Sequence, residues 1–351
     1  MTADLALPLG DSLQVVDRTG GGFEGVSILS KFARFDNSVA EERADFLYTK
    51  SLGSGAFVLK LVSRRDGRVI AAKICTYAAC LFPHQAADPA ENERRRAEAV
   101  ESLREEFSAL DELHRRGARY TPEIFGFRLL NGREPAILME RLGANMGGML
   151  VNESAFKLSD ASLVVALENM ISALAELHTF GWVAHDLKPE NFCVTRGNRW
   201  GIAVKLVDFG MMERVDWAAV EEVDLNAPFF RSRMPGTLPY TPMAAYLDTA
   251  LSPVDNFEAL FYVAMRLGGE DMKWWAARNV QSFKAKRAFW TGGGKLSSPL
   301  LAHCFEILRY CPRDSLAAHA FLVEALRLVV RAFGKIVTPD TEAFPQLLYF
   351  H

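Results

Sequence analysis

The spacing of apolar residues shifts from mostly strand-like in the front of this chain to mostly helical in the back, and that shift narrows the possible folds more than any other feature. From Phe46 to Ile74 the residues are rich in β-branched and aromatic types on either side of Arg65-Asp66-Gly67, a turn signal between two strand-like segments. A second strand-like pair, Ile124 to Leu130 and Ala136 to Glu140, is parted by Asn131-Gly132, a strong hairpin signal because both residues tolerate positive φ. Residues 84–116 begin as a charged stretch, with the mixed run Glu91 to Arg96. They then become amphipathic, with Leu103, Phe107, Leu110 and Leu113 at helical spacing. Beyond Leu142-Gly143 the chain becomes helix-rich. Leu163, Leu167, Met170, Ile171, Leu174 and Leu177 make one wide apolar face, and Ser159 or Asp160 can cap the helix that carries it. A strand-rich front and a helix-rich back predict an α+β chain with two lobes, joined near residues 140–145.

A chain of 351 residues and 39.1 kDa can bury one large core or two modest ones. Half the residues are hydrophobic and 24% are charged, the balance of a globular protein. A net charge of -3 provides no global field to attract nucleic acid or an anionic membrane, so any anion site must be local. The stretch Phe257 to Met265 is nearly apolar but contains Glu258 and is far short of the roughly 20 residues of a spanning helix, so no membrane span is expected. Met1 to Gly10 has Asp4 where a secretory leader would carry basic residues, which points to an intracellular protein of cytoplasm or nucleus. The five cysteines, Cys75, Cys80, Cys193, Cys304 and Cys311, are odd in number and contain no Cys-x-x-Cys pair. Reduced, mostly buried thiols are expected rather than a disulfide framework or a zinc site. Nothing in the sequence calls for an oligomer, and a monomer is expected.

The segment richest in chemistry is His185-Asp186-Leu187-Lys188-Pro189-Glu190-Asn191, followed by Asp208-Phe209-Gly210. Alone, the first piece reads equally well as a polar loop after a helix. Together they supply what phosphoryl transfer from ATP needs: a base beside the attacking hydroxyl, oxygen ligands for Mg²⁺, and a cation near the moving phosphoryl group. Asp186 is the candidate base and Lys188 the candidate cation, while Asn191 and Asp208 offer the hard oxygen donors that suit Mg²⁺. Asn191 lies five positions after Asp186 and Asp208 seventeen after Asn191, room for two short strands joined at Gly197-Asn198 that would return the ligands to one place.

Upstream, Leu52-Gly53-Ser54-Gly55-Ala56-Phe57 is a glycine-rich turn whose backbone could approach phosphates unhindered by Cβ atoms. Ile70-Ala71-Ala72-Lys73 then places a lone lysine in an apolar strand-like run. An ammonium buried there needs a partner. Phosphates and a helix carboxylate would supply it, with Glu106 preferred and Glu105 as the alternative. Had these motifs been absent, Lys73 would read as a surface lysine on an edge strand.

This ordered set resembles the eukaryotic protein kinase signature over roughly residues 45–330. Within that superfamily, Gly236-Thr237-Leu238-Pro239-Tyr240-Thr241-Pro242, Ser252 to Leu260, Asn191-Phe192 and Met139-Glu140-Arg141-Leu142-Gly143 resemble the casein kinase I group. The resemblance implies an N-lobe at 45–140, a hinge near 140–145 and a C-lobe at 146–334, with an N-terminal extension 1–44 and a tail 335–351. It implies Met139 as gatekeeper, adenine held by the backbone of Glu140 and Leu142, Ala71 in the adenine ceiling, and phosphates under Leu52, Gly53, Ser54 and Gly55. ATP and Mg²⁺ as cofactors and serine or threonine side chains of proteins as acceptors follow from it, with Lys188 as the marker against tyrosine.

The chain departs from that pattern at several points. Val58 stands where the third glycine of the nucleotide loop is expected, and the spacing from Gly53 to Lys73 is short. Ala184 and His185 stand in place of the family's His-Arg, so Trp182 is expected to restore packing, and activity is expected not to require phosphorylation of the activation segment. Asn256 occupies an acidic position that receives backbone N–H groups of the catalytic loop, offering a carbonyl without a charge. Pro239 replaces a basic residue used for acidic substrates, with Arg231 and Arg233 just upstream. Two other readings stand beside the active protein kinase: a pseudokinase serving as a nucleotide-binding or scaffold protein, and a small-molecule kinase on the same fold. Trp274-Trp275 is expected to be buried rather than to form a docking patch.

Overall fold

The computed structural model describes residues 15–17, 46–51, 58–74, 89–130, 134–151, 157–195, 201–229, 235–292 and 294–336. The chain divides into two compact units, one of residues 1–115 with 122–142, the other of residues 116–121 with 143–351. The first is strand-rich and the second helical, the α+β arrangement of a kinase-like bilobal fold.

In the first unit, β1 (Val15–Asp17), β2 (Phe46–Ser51), β3 (Val58–Ser63), β4 (Val69–Ile74), β5 (Ile124–Leu130) and β6 (Glu134–Glu140) form one sheet in the order β1-β2-β3-β4-β6-β5. The turn at Arg65-Asp66-Gly67 works as its sequence suggests. Gly67 has a φ of +69°, and the Asp66 carboxylate accepts the N–H of Arg68 at 3.1 Å. The Asn131-Gly132 turn lies outside the described residues, but the strands it would join pair antiparallel from Ile124↔Met139 to Leu130↔Glu134. Strand alternation sends Leu59, Leu61, Ile70, Ala72, Ile74 and Leu138 into a single core.

The structure departs from the sequence reading at two places here. Val15–Asp17, within the expected extension 1–44, pairs parallel to β2 and widens the sheet, a three-residue strand too short to leave a readable period. The charged run Glu91 to Arg96 belongs to α1 (Pro89–Arg115), a continuous 27-residue helix. Its second half buries Leu103, Leu110 and Leu113, whereas residues 93–98 of the first half are exposed.

In the second unit, α3 (Asp160–Thr179) follows the short α2 (Met146–Val151). Of the two candidate caps, Ser159 takes the role, its side chain accepting the N–H of Ser162 at 3.3 Å. By length and composition α3 could cross a membrane. Its apolar face, Leu163 through Leu177, is buried against α5 (Pro253–Leu267) and α8 (Leu316–Ile336). Between α3 and α5 run the short strands β7 (Trp182–Ala184), β8 (Phe192–Val194), β9 (Val204–Leu206) and β10 (Met212–Arg214), then α4 (Met243–Tyr246). Further on, α6 (Asn279–Gly292) and α7 (Pro299–Arg309) enclose an aromatic core with α5. Trp290 lies 4.9 Å from Phe305 and Tyr262 lies 5.2 Å from Trp274, centroid to centroid. Such ring pairs add about 0.5–1.5 kcal/mol each beyond area burial.

Candidate active site

Of the candidate residues, Lys73 and Glu106 lie in the first unit, and Asp186, Lys188, Asn191 and Asp208 lie in the second. On β4, Ile70, Ala72 and Ile74 face the sheet core, so alternation puts Ala71 and Lys73 on the opposite face. Lys73 stands between Val58 of β3 and Ile137 of β6 and is 8% exposed. Its ammonium donates to Glu106 Oε1 on α1 at 2.6 Å, with Glu106 itself 5% exposed. Glu105 is exposed. A pair this buried resists loss of either member, since one unpartnered charge costs about 3–5 kcal/mol. Ala71 is in register with Met139, and Ile70 with Glu140. The Glu140 N–H is engaged by the Glu123 carbonyl at 2.8 Å, and Leu142 is half-buried. Leu52, Gly53, Ser54 and Gly55 lie outside the described residues.

In the second unit, β7 delivers the chain to Asp186, and a 3₁₀ turn at Pro189–Asn191 leads into β8. Pro189 suits the first position of that turn, where no N–H is needed. β8 and β9 pair antiparallel, Phe192 opposite Leu206, and the Val207 N–H reaches the Asn191 carbonyl at 2.8 Å. That ladder brings Asp208 back to Asn191, and Asp186, Asn191 and Asp208 line one small hollow with Leu187, Leu206 and Met211. The Gly197-Asn198 turn lies outside the described residues. Asp208 has a φ of +69°, a left-handed conformation uncommon for a residue with a Cβ, and its side chain is exposed while Phe209 beside it is 2% exposed.

Both oxygens of Asp186 are engaged. Oδ2 accepts from Lys188 Nζ at 2.5 Å and Oδ1 from the Thr237 hydroxyl at 2.7 Å. Each carboxylate oxygen keeps a second lone-pair direction, so a further hydroxyl can still be received. Asn191 Nδ2 donates to the Asp186 carbonyl at 2.6 Å, which makes the amide oxygen the end suited to a cation.

Three supports for this loop were not read as such from the sequence, and a fourth, Asn256, was expected there only as a carbonyl acceptor. Gly236 has a φ of +82°, and a Cβ there would lie 2.3 Å from the His185 carbonyl oxygen, so only glycine lets the Gly236-Thr237 segment lie against the loop. Thr237 supplies the hydroxyl on Asp186. Lys286, fully buried on α6, donates to the carbonyls of Leu238 at 3.1 Å and Thr241 at 2.5 Å, and lies 4.3 Å from the Tyr262 ring centroid. Burial pushes Lys286 down to about 7 against the pull of Glu258, whose own carboxyl is raised to about 7 by burial and by Asp255. The two accepting carbonyls and the ring face favour the ammonium. Finally, Asn256 Oδ1 accepts the Ala184 N–H at 2.8 Å while its Nδ2 donates to the Ala184 carbonyl, also at 2.8 Å. The loss of charge at this position is accompanied by a second hydrogen bond that a carboxylate could not make.

Elsewhere, His185 Nε2 contacts Glu213 of β10 at 2.5 Å, and Trp182 lies under the Arg214 guanidinium at 4.0 Å. Pro239 offers its carbonyl to Trp274 Nε1 at 2.9 Å. Arg231 and Arg233 lie outside the described residues. The expectation for the tryptophan pair is corrected at one position: Trp274 is 1% exposed but Trp275 is 45% exposed, lying edge-on to Tyr240 with Arg266 over its ring. The two residues are adjacent in a turn and point in different directions, so burying one leaves the other outside. Cys193, Cys304 and Cys311 are free thiols, with Cys193 and Cys304 each pushed up to about 12 by burial, and Cys75 and Cys80 lie outside the described residues.

Among the described residues there is no group of three or more His, Cys, Asp or Glu side chains fit to cage a metal. Asn191 with Asp208 offers two oxygen donors instead, a set that suits Mg²⁺, which keeps waters and substrate phosphates in its shell.

No family model matches the chain. It is similar to smooth-muscle myosin light chain kinase of Gallus gallus, with 27% identity over 216 residues, 59% of this chain. The chain spans about 10% of the length of that relative. This is a distant homology to a protein kinase.

Proposed function

We propose that the protein is an ATP-dependent protein kinase that transfers the γ-phosphate of ATP to serine or threonine hydroxyls, in the manner of the casein kinase I group it resembles in sequence. The observation that carries this reading is the engaged set around Asp186: Lys188 on one oxygen, the Thr237 hydroxyl on the other, and Asn191 on its carbonyl. Asp186 receives the proton of the attacking hydroxyl, and the adjacent Lys188 ammonium offsets charge on the transferring phosphoryl group. Asn191 and Asp208 would hold Mg²⁺, which neutralises phosphate charge when bound. Lys73, kept in place by Glu106, orients the phosphates, while Ala71, Met139, Glu140 and Leu142, with the Leu52-Gly53-Ser54-Gly55 turn, make the nucleotide site. His185 pairs with Glu213 where an arginine would answer a phosphorylated activation segment, which favours activity without that modification. Protein acceptors, a monomeric state and an intracellular setting complete the reading.

The test is transfer of labelled γ-phosphate to casein and to the protein itself with Mg²⁺, comparing wild type with Asp186→Asn and Lys73→Met. Each variant is expected to lose transfer by about 10³-fold or more, on the scale of an essential group. Wild-type protein that binds ATP but transfers nothing would sink the catalytic reading and leave a pseudokinase.

A further inference from the structure

Holding the backbone before Asp186 with an amide creates a problem that a carboxylate does not have. A carboxylate is symmetric, whereas an amide turned end for end puts its NH₂ against an N–H and its oxygen against a carbonyl. Asn256 is 0% exposed, so water cannot relieve the mismatch. Its orientation follows from its partners: Oδ1 faces the Ala184 N–H and Nδ2 faces the Ala184 carbonyl, each at 2.8 Å.

A second contact defines the same orientation. His178 Nε2 lies 3.2 Å from Asn256 Oδ1, and because that oxygen only accepts, His178 must carry its proton on Nε2. The neutral ring then presents a bare Nδ1, which lies 2.9 Å from Nε2 of His319. His319 must therefore donate from Nε2. The chain of donors runs in one direction, from His319 on α8 through His178 on α3 and Asn256 on α5 to Ala184 at the end of β7. Both rings are 7% exposed, and Phe257 lies 5.3 Å from His178 and 5.9 Å from His319. The nearby Asp255 is tied to Arg313 at 2.8 and 2.5 Å, so its charge is already answered.

We infer that His319 is a positioning residue for the catalytic loop: by donating to His178 it selects the tautomer that orients Asn256, and so holds the Ala184 backbone two residues ahead of Asp186. His319 touches neither Asp186 nor any other residue of the candidate site. Its influence passes through defined protons, so the replacement that keeps a donor differs from the one that does not.

The experiment uses the full chain with ¹⁵N-labelled histidine and backbone, comparing wild type, His319→Gln and His319→Leu. In wild type, two-bond ¹⁵N–¹H correlations are expected to show both rings neutral and protonated on Nε2. The leucine variant is expected to speed amide exchange at Ala184 by about tenfold, the scale of one lost buried hydrogen bond, and the glutamine variant to restore wild-type protection. Equal exchange at Ala184 in all three proteins overturns the inference. If the leucine variant does not fold, the wild-type rings decide alone: Nε2–H on both sustains it, and Nδ1–H on either overturns it. The consequence for catalysis rests on the kinase reading, and there kcat is expected to fall in His319→Leu with KM for ATP unchanged. Wild-type protein without transfer activity would count against the kinase reading only, because the exchange and tautomer results do not depend on it.

Discussion

At the scale of single residues, the buried histidines make stability depend on pH with a sign that follows from their environment. Burial, with the neighbouring His319, lowers His178 from its usual 6.5 to about 3, and burial lowers His319 as well. A histidine depressed in the folded state binds fewer protons there than in the unfolded chain between those two values. Stability from His178 is therefore fully present above about pH 6.5 and is lost as pH falls towards 3, with a slope of up to about 1.4 kcal/mol per pH unit, and His319 acts with the same sign. Urea melts of wild type and His178→Gln across pH 4–8 should converge towards low pH as the wild type loses this contribution. Parallel curves would show that His178 is not the titrating group. The Lys73–Glu106 pair belongs to the same scale and was legible in the sequence, because a lone lysine in an apolar strand requires a carboxylate and Ala109, Leu110 and Leu113 follow Glu106 at inward-facing positions of the helix. Lys286 was not legible, since nothing in Phe283-Lys284-Ala285-Lys286-Arg287 distinguishes the one lysine that points inward.

At the scale of elements, short strands and tight approaches place the chemistry. β8 and β9, three residues each, return Asp208 to Asn191, and the Gly236-Thr237 segment closes on the His185-Asp186 loop because Gly236 has no Cβ. Gly236→Ala should lower transfer activity by at least about tenfold and destabilise the second unit by about 1–3 kcal/mol, since it adds both a clash with a backbone oxygen and left-handed strain. Thermal melts and transfer rates of that variant check this, and wild-type values in both would mean that the segment shifts without cost. The element boundaries were readable where composition changes abruptly, as at Ser159, and unreadable in β1, whose three residues pair with β2 through backbone atoms common to any sequence.

For the whole molecule, each unit carries its own core, one aliphatic and sheet-based, the other built on aromatic rings between helices. Leu138→Ala in the first and Phe305→Ala in the second should each cost about 2–5 kcal/mol by leaving a cavity. Hydrogen exchange should then accelerate mainly through β3–β6 for the former and α5–α7 for the latter. Uniform acceleration by either would contradict separate cores. The division itself was legible, because strand and helix periods are local properties that each stretch of chain carries with it. The candidate side chains Asp186, Lys188, Asn191 and Asp208 stood out in the sequence by residue type and order, and the structure brings Asp186, Asn191 and Asp208 to one hollow with Lys188 on Asp186. Tertiary structure alone decided the contacts around them: that Asn256 takes both the N–H and the carbonyl of Ala184, that His319 reaches His178 across 141 positions of chain, that Lys286 rather than its neighbours turns inward, and that Trp274 is buried while Trp275 is not. Those contacts join residues far apart in sequence through a shared interior, and no local pattern of residue types encodes which distant side chain will be waiting there.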